Sequence, residues 1–349
     1  MKMVGYLARF VHRIEGLFDR RQRRRQTGAQ PVIEPYIGYA TPEEIVLRGR
    51  VLTALRRSEP RPDQHWFTNF RQMLRLFLTD EVSGVSIRAR GCRVASDEEG
   101  YFTLSVPRDG VSGWVEVKVE HLDEVPAPGG LPYAWEDGEM PVAEAVMPAF
   151  APGTDAEIGV ISDVDDTMLQ TGAWSRIRLV WTSLMGNIHT RHIFPDAVEL
   201  ISRLSAGGRN PVFYVSSSPW NLHDFLERVF ARHNLVRGPM FLRDFGLNDK
   251  RPLASSHSDH KSHAIDTILA ANPGLPFVLI GDTGQFDSEI YAAAARRHKG
   301  RIQRVILRAP RRKRDAATEV NVRTLRQKGI PVHVGPDFSE AIEVLGGGR

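Results

Sequence analysis

Two aspartates that follow a short apolar run are the residues of this chain best suited to chemistry. Residues 158–161 form the run, and Asp163, Asp165 and Thr167 follow it at alternate positions. Such a run is typical of a buried strand of a parallel sheet, and side chains at i and i+2 leave a strand on the same side. Asp163 and Asp165 are therefore predicted to lie together at the carboxyl end of a strand, where open α/β sheets bind ligands.

Paired carboxylates at that position need a compensating charge. Two carboxylates a few ångströms apart repel each other unless a proton or a cation lies between them. Mg²⁺ is a hard cation that prefers oxygen ligands, so it suits such a pair. A surface turn is the alternative, because Asp and Thr are also common turn and cap residues.

Three later features favour the catalytic interpretation. Ser216 ends a second apolar run, where a hydroxyl can donate to a phosphoryl oxygen, although a helix N-cap would also use a serine. Lys261 lies in the first turn of a predicted helix, where the macrodipole disfavours a cation, so it either meets an anion or is a solvated surface lysine. Asp282 ends a third apolar run and opens an acidic loop that reaches Asp287. Each feature is weak alone, and their order along the chain indicates an active site.

In this order the motifs resemble those of a known enzyme superfamily. Residues 155–335 resemble the haloacid dehalogenase (HAD) phosphatases, whose signature is Asp-x-Asp-x-Thr. Finer details resemble the lipin-like phosphatidate phosphatases of the yeast actin-patch type. The stretches that carry this resemblance are residues 162–167, 214–220, 242–246, 260–261 and 279–284.

The resemblance implies a Mg²⁺-dependent phosphatidate phosphatase. It implies that Asp163 attacks phosphorus to form an aspartyl-phosphate, and that Asp165 exchanges protons with the leaving alkoxide and with water. It also implies that Mg²⁺ binds the Asp163 carboxylate, the Asp165 backbone carbonyl and Asp282, while Ser216 and Lys261 hold the phosphoryl oxygens. The alternatives are a phosphatase acting on a soluble phosphomonoester or a phosphoprotein, and a non-catalytic lipid-binding scaffold.

Six further residues receive subsidiary assignments. Asp287 is expected to support the metal site or to bind the metal loosely, Asp166 to cap the following turn and Thr167 to brace the loop. A group of histidines also suggests zinc, but their spacing drifts around a helix and no fourth ligand is evident, so we expect no zinc site there. These histidines are His257, His260 and His263.

The chain is predicted to have three parts. Residues 1–30 form an amphipathic basic segment, and residues 31–152 a smaller β-sandwich-like domain with a helical insertion near 66–77. Residues 153–349 form the HAD-like phosphatase domain, an α/β fold with a Rossmann-like parallel sheet and a minimal cap. The segment 173–188 either packs on the sheet or forms that cap. Strands are predicted over 158–163, 211–216, 240–243, 276–281, 302–307 and 331–334, and helices near 174–188, 196–206, 220–232, 260–271, 287–298 and 316–328.

Composition limits the classes of protein to which the chain can belong. The apolar fraction of 42% supports real cores, and no apolar run reaches the roughly 18–20 residues that span a bilayer. The single cysteine, Cys92, can form no intrachain disulfide and fits a reducing compartment. A cytoplasmic location is therefore expected, and binding to the membrane surface is compatible with it.

The basic clusters at 20–25 and 308–314 suggest an anionic partner. Residues 3–18 place apolar side chains at helical spacing before the first cluster, which fits a helix lying on an anionic membrane. A helix packed on protein is equally compatible with this pattern. A nucleic-acid-binding arm is disfavoured, because no recognisable binding module accompanies it.

Overall fold

The computed structural model describes seven stretches of the chain. The N-terminal segment, the helical insertion near 66–77 and the possible cap at 173–188 lie outside these residues, so the predictions made for them are not tested. No helix within the described stretches is both long and apolar enough to cross a bilayer. The described residues are 31–52, 82–124, 139–169, 192–243, 257–284, 286–309 and 316–346.

The first unit is an eight-stranded sheet, and we call it the β unit. Its strands follow the order β1-β3-β2-β8-β7-β4-β5, with β6 paired to β3. The pairings are antiparallel except for β2 with β8, which is parallel. The strands are β1 Val32–Pro35, β2 Gly38–Ala40, β3 Glu44–Leu52, β4 Ser86–Ala89, β5 Cys92–Ala95, β6 Tyr101–Pro107, β7 Gly113–Glu124 and β8 Glu139–Ala151.

Alternating polarity explains why these segments form strands. In β6, Phe102, Leu104 and Val106 are buried, whereas Thr103 and Ser105 are exposed. One face of the strand therefore joins the hydrophobic core of the unit. The parallel pairing of β2 with β8 departs from a purely antiparallel arrangement, and the sandwich-like description stays a prediction.

The second unit contains a six-stranded sheet in which every pairing is parallel. The strand order is β11-β10-β9-β12-β13-β14. The strands are β9 Gly159–Asp163, β10 Val212–Pro219, β11 Met240–Arg243, β12 Phe277–Asp282, β13 Ile302–Arg308 and β14 Val332–Gly335. The helices are α1 Pro195–Ser205, α2 His223–Arg232, α3 His257–Ala271, α4 Asp287–Arg297, α5 Ala316–Gln327 and α6 Ser339–Gly346.

The position of β9 determines where this sheet can bind a ligand. The chain runs from β9 to β10 and β11 on one side, then returns to place β12, β13 and β14 on the other side. The strand order thus reverses at β9, which is buried along its whole length. A crevice forms at the carboxyl ends of parallel strands where such a reversal occurs. The predicted active-site strands β9, β10 and β12 are neighbours at that point.

An aromatic contact joins the two units. Tyr36 of the β unit is 1% exposed, and its ring lies 5.0 Å from Trp220 and 4.5 Å from His223 between centroids. The Tyr101 hydroxyl donates to Asn221 Oδ1 over 3.1 Å. Burial lowers the pKa of His223 to about 3, so its ring is uncharged within this contact. The β unit therefore packs directly against the turn that follows β10.

We predict that Tyr36→Ala destabilises the protein strongly. Removing a fully buried aromatic side chain leaves a cavity and typically costs about 3–5 kcal/mol of unfolding free energy. Denaturant unfolding of the full chain measures this loss. Trp114→Ala is the control, because Trp114 is 44% exposed and its removal should cost much less. Equal losses in the two variants would contradict a buried anchoring role for Tyr36.

Candidate active site

Asp163 is the last residue of β9, and the loop that follows folds back onto it. The amides of Met168 and Leu169 both donate to the Val164 carbonyl over 3.0 Å, which closes the loop. The Thr167 hydroxyl then donates to Asp163 Oδ2 over 3.0 Å. The orientation of the Asp163 carboxylate is therefore fixed by its own loop, in agreement with the bracing role expected for Thr167.

Asp165 lies beside Ser216 at the end of β10. Ser216 Oγ donates to Asp165 Oδ2 over 2.8 Å and accepts a hydrogen bond from the Ser218 amide over 3.0 Å. Ser216 is fully buried and lies inside β10, before the 3₁₀ turn Trp220–Leu222. Its hydroxyl is therefore part of the site, and it does not cap a helix.

Lys261 is buried inside the site, so it is not a solvated surface residue. Its Nζ lies 2.6 Å from Asp163 Oδ1 and 2.6 Å from Asp287 Oδ1, and the residue is 3% exposed. Burial alone would lower the pKa of Lys261, but the nearby carboxylates outweigh it and raise that pKa above its ordinary value. The side chain is therefore an ammonium ion within a ring of acids.

Asp282 ends β12 and shares a tight loop with Asp287. The Gly284 amide donates to Asp282 Oδ1, and the Asp282 amide donates to Asp287 Oδ2 over 3.1 Å. A Cβ atom at Gly281 would lie 2.5 Å from Asp287 Oδ2 and 2.8 Å from the Tyr291 hydroxyl, so only glycine allows this approach. Asp282 Oδ2 is buried and has no hydrogen-bond partner among the described residues.

Three buried carboxylates converge at this edge of the sheet. Asp163, Asp282 and Asp287 each offer an oxygen, and these oxygens lie within 4.8 Å of one another. Burial raises the pKa of Asp163 well above its usual range although Lys261 opposes the effect. Burial, reinforced by the Asp287 charge, raises the pKa of Asp282 to about 8. A set of hard oxygen donors that includes one unpartnered buried oxygen fits a divalent cation.

The structure brings the predicted ligands together with one difference. Asp163 and Asp282 belong to the carboxylate cluster, and Asp287 also places an oxygen within 4.8 Å of theirs, where supporting the metal site or binding the metal loosely was expected of it. The Asp165 carboxylate accepts a hydrogen bond from Ser216 instead of joining this cluster. Binding of the metal by the Asp165 backbone carbonyl stays a prediction.

The histidines on α3 do not form a comparable group in the described part of the chain. His260 Nε2 lies 3.4 Å from the Phe241 carbonyl oxygen, and burial lowers the pKa of His260. His263 is exposed, and the side chain of His257 lies outside the described residues. The carboxylates, rather than these histidines, are the metal-suited cluster of the described ranges.

Comparisons with known proteins agree with this site. Residues 158–309 match the family model of the phosphatidate phosphatase APP1 catalytic domain. This part of the chain resembles that catalytic domain. The resemblance inferred from the motifs is thereby confirmed, and the matched segment contains every predicted site residue.

Two fungal relatives share the same part of the chain. Phosphatidate phosphatase APP1 of Saccharomyces cerevisiae is 31% identical over 153 residues, which are 43% of this chain and 26% of that protein. An uncharacterized protein of Schizosaccharomyces pombe is 31% identical over 158 residues, 43% of this chain and 25% of that protein. The matched region is thus about a quarter of each relative.

One solved structure aligns with most of the chain but with a low structural similarity score. A ferredoxin-NADP+ reductase from Plasmodium falciparum aligns over 80% of this chain and 95% of that chain, with 7% identity and a TM-score of 0.20. A score this low supports no structural relationship, so the HAD-type assignment stays a prediction.

We predict that binding of a divalent cation releases a proton. The pKa of Asp282 rises from its ordinary value of 3.8 to about 8 in the folded, metal-free protein, so Asp282 retains a proton between these values. That proton stabilises the metal-free fold at low pH, and its contribution is lost as the pH rises through about 8. A cation and the proton compete for the same carboxylate, so affinity for Mg²⁺ should increase with pH up to that value.

Isothermal titration calorimetry with Mg²⁺, in buffers that differ in ionisation enthalpy, measures this proton release directly. Experiments at about pH 6 and about pH 9 cover the relevant interval. Asp282→Asn keeps the shape of the side chain but cannot release this proton, and because Asp282 belongs to the carboxylate cluster its affinity for the cation should fall as well. Binding that is independent of pH and releases no proton would contradict the prediction.

Proposed function

We propose that this protein hydrolyses phosphatidate to diacylglycerol and inorganic phosphate in a Mg²⁺-dependent reaction. The observation that carries the proposal is the buried cluster of Asp163, Lys261, Asp282 and Asp287 at the crevice of the parallel sheet. The similarity of residues 158–309 to a phosphatidate phosphatase catalytic domain supports the choice of substrate. The match covers 26% of the yeast relative, and we propose that this chain acts on the same substrate.

Asp163 is the nucleophile of the proposed reaction. One of its carboxylate oxygens forms a bond to phosphorus as the bond from phosphorus to the glycerol oxygen breaks, which gives an aspartyl-phosphate. The hydrogen bond from Thr167 and the contact with Lys261 orient this carboxylate before the substrate arrives. Such preorientation lowers the entropic part of the barrier.

Asp165 is the acid and base. It gives a proton to the departing glycerol alkoxide, then takes one from the water that attacks the aspartyl-phosphate and releases inorganic phosphate. The hydrogen bond from Ser216 holds the Asp165 carboxyl group in one orientation. Ser216 therefore supports proton transfer in addition to its expected contact with a phosphoryl oxygen.

Mg²⁺ is the cation that best suits this donor set. We propose that the carboxylates of Asp163 and Asp282 and the backbone carbonyl of Asp165 hold it, with Asp287 beside them. The bound cation supplies positive charge that offsets the repulsion between a carboxylate nucleophile and a phosphate dianion. Lys261 provides a second positive charge that is already present in the protein.

We predict that Asp163→Asn reduces phosphate release to background with the fold intact, because the variant loses the attacking charge but keeps the size of the side chain. Phosphate release from phosphatidate in mixed micelles, with Mg²⁺ and with EDTA, is the measurement. Asp166→Asn is the matched control: Asp166 has a φ of 57°, which asparagine also tolerates, and the substitution should leave activity near that of the wild type.

A substrate panel decides between the proposed function and its alternatives. Preferred turnover of soluble phosphomonoesters or a phosphoprotein would overturn the proposed substrate but not the chemistry. Absence of turnover with every phosphomonoester would support the non-catalytic scaffold. Substantial turnover by Asp163→Asn would show that the aspartyl-phosphate mechanism is wrong.

We also predict that Asp165→Asn lets the phosphoenzyme accumulate. The variant retains the nucleophile, but the attacking water loses its base, so the second step slows more than the first for substrates with good leaving groups. Rapid acid quenching with a radiolabelled aryl phosphate measures the trapped label. Loss of activity without any trapped label would show that Asp165 acts before the covalent step only.

A further inference from the structure

Arg308 is a buried arginine that the proposed chemistry does not use. It is the last residue of β13 and is 3% exposed. The strand register places it opposite Asp282. Its backbone and its side chain contact different loops of the active site, and these contacts suggest a function.

The backbone of Arg308 holds the loop that contains Asp282. The Arg308 carbonyl accepts a hydrogen bond from the Thr283 amide over 3.0 Å. This contact extends the pairing of β12 and β13 one residue beyond Asp282. The direction in which Asp282 leaves the sheet is therefore fixed by β13.

The side chain of Arg308 holds the loop that contains Asp163. Arg308 Nε donates to the Thr167 carbonyl over 3.2 Å. The hydroxyl of the same Thr167 donates to Asp163 Oδ2 over 3.0 Å. Two hydrogen bonds thus connect the guanidinium group to the proposed nucleophile.

The guanidinium group is itself held rigidly. Arg308 Nη2 donates to Asp196 Oδ2 over 2.8 Å, and the Phe338 amide donates to the same oxygen over 2.8 Å. The guanidinium carbon lies 4.0 Å from the Phe194 ring centroid and 4.1 Å from that of Phe338. A planar guanidinium group that contacts two aromatic rings and also donates hydrogen bonds is a geometry that lysine cannot reproduce.

From these contacts we infer that Arg308 is a positioning residue that sets the relative orientation of the Asp163 and Asp282 loops. The inference rests on the proposed function only in naming Asp163 as the nucleophile. Arg308 contacts neither the substrate nor the reacting atoms; it acts through Thr167 and Thr283. Its loss should therefore slow the chemical step much more than it weakens substrate binding.

Arg301 provides a matched control within the same strand region. It directly precedes β13, at the end of the sheet opposite the active site. Like Arg308, it donates to backbone carbonyls, here those of Leu269, Asn272 and Leu275. Arg301→Lys should therefore lower stability without changing the geometry of the active site.

The experiment compares Arg308→Lys with Arg301→Lys in the full chain. We expect Arg308→Lys to lower kcat for phosphatidate by about tenfold or more, because small misplacements of reacting groups are costly. Its KM should change by less than about twofold. Arg301→Lys should leave both parameters unchanged. Equal kcat values in the two variants would overturn the inference.

Hydrogen exchange tests the same idea without relying on activity. In Arg308→Lys the amides of Met168 and Leu169, which close the nucleophile loop, should exchange faster than in the wild type and in Arg301→Lys. Unchanged exchange would overturn the inference even if the wild type proved inactive on phosphatidate. That inactivity would itself overturn the proposed function alone.

Asp196→Asn tests the same inference if Arg308→Lys does not fold. This variant retains Arg308 but removes the carboxylate charge that fixes its guanidinium group. It should show the same pattern in milder form, with a lower kcat and faster exchange in the nucleophile loop. Wild-type values for both would contradict a positioning role.

Discussion

Lys261 places one ammonium group 2.6 Å from two buried carboxylates, and the rest of the site depends on that contact. Burial of an ionised carboxylate costs several kcal/mol unless other charges and hydrogen bonds compensate for it. Asp163, Asp282 and Asp287 could carry three negative charges against this single positive one, so the cluster retains excess negative charge even with Lys261 in place. A bound proton or cation must balance that excess, which makes the cluster unstable as a structural element and suitable as a metal site.

The surrounding sequence is consistent with this requirement. The helix α3 begins at His257, so Lys261 lies one turn further into it than the sequence predicts, where the helix dipole is a weaker influence. The lysine is tolerated there because it meets acids rather than solvent. Gly281 allows Asp287 to approach the end of β12, where any side chain would collide with it. Backbone amides of Asp282 and Gly284 supply the remaining hydrogen bonds to the carboxylates. The glycine and the close approach of several acids would be unfavourable in an ordinary loop, but here they allow the acidic cluster to form.

Much of the second unit could be predicted, because its strands are short, apolar and followed by polar residues. The described strands and helices begin and end within a few residues of their predicted positions, except that α6 was not predicted. The pairing of Ser216 with Asp165 and the convergence of Arg308 on Thr167 could not be predicted, since they join residues 51 and 141 positions apart. In the β unit, alternation identifies individual strands but does not determine their partners, so the parallel pairing of β2 with β8 has no signal in the sequence.

The contact between the units shows why the matched domain does not account for the whole site. Trp220 lies within residues 158–309, four positions after Ser216. Its ring nevertheless stacks on Tyr36, and its ring centroid lies 4.4 Å from the Arg48 guanidinium carbon. Tyr36 and Arg48 both lie outside the matched segment. The carboxyl end of β10 is therefore fixed by the β unit, just as the ends of β9 and β12 are fixed by Arg308. Since the geometry of Ser216 and Asp165 depends on where β10 ends, both units contribute to the position of the hydrogen bond between these two side chains.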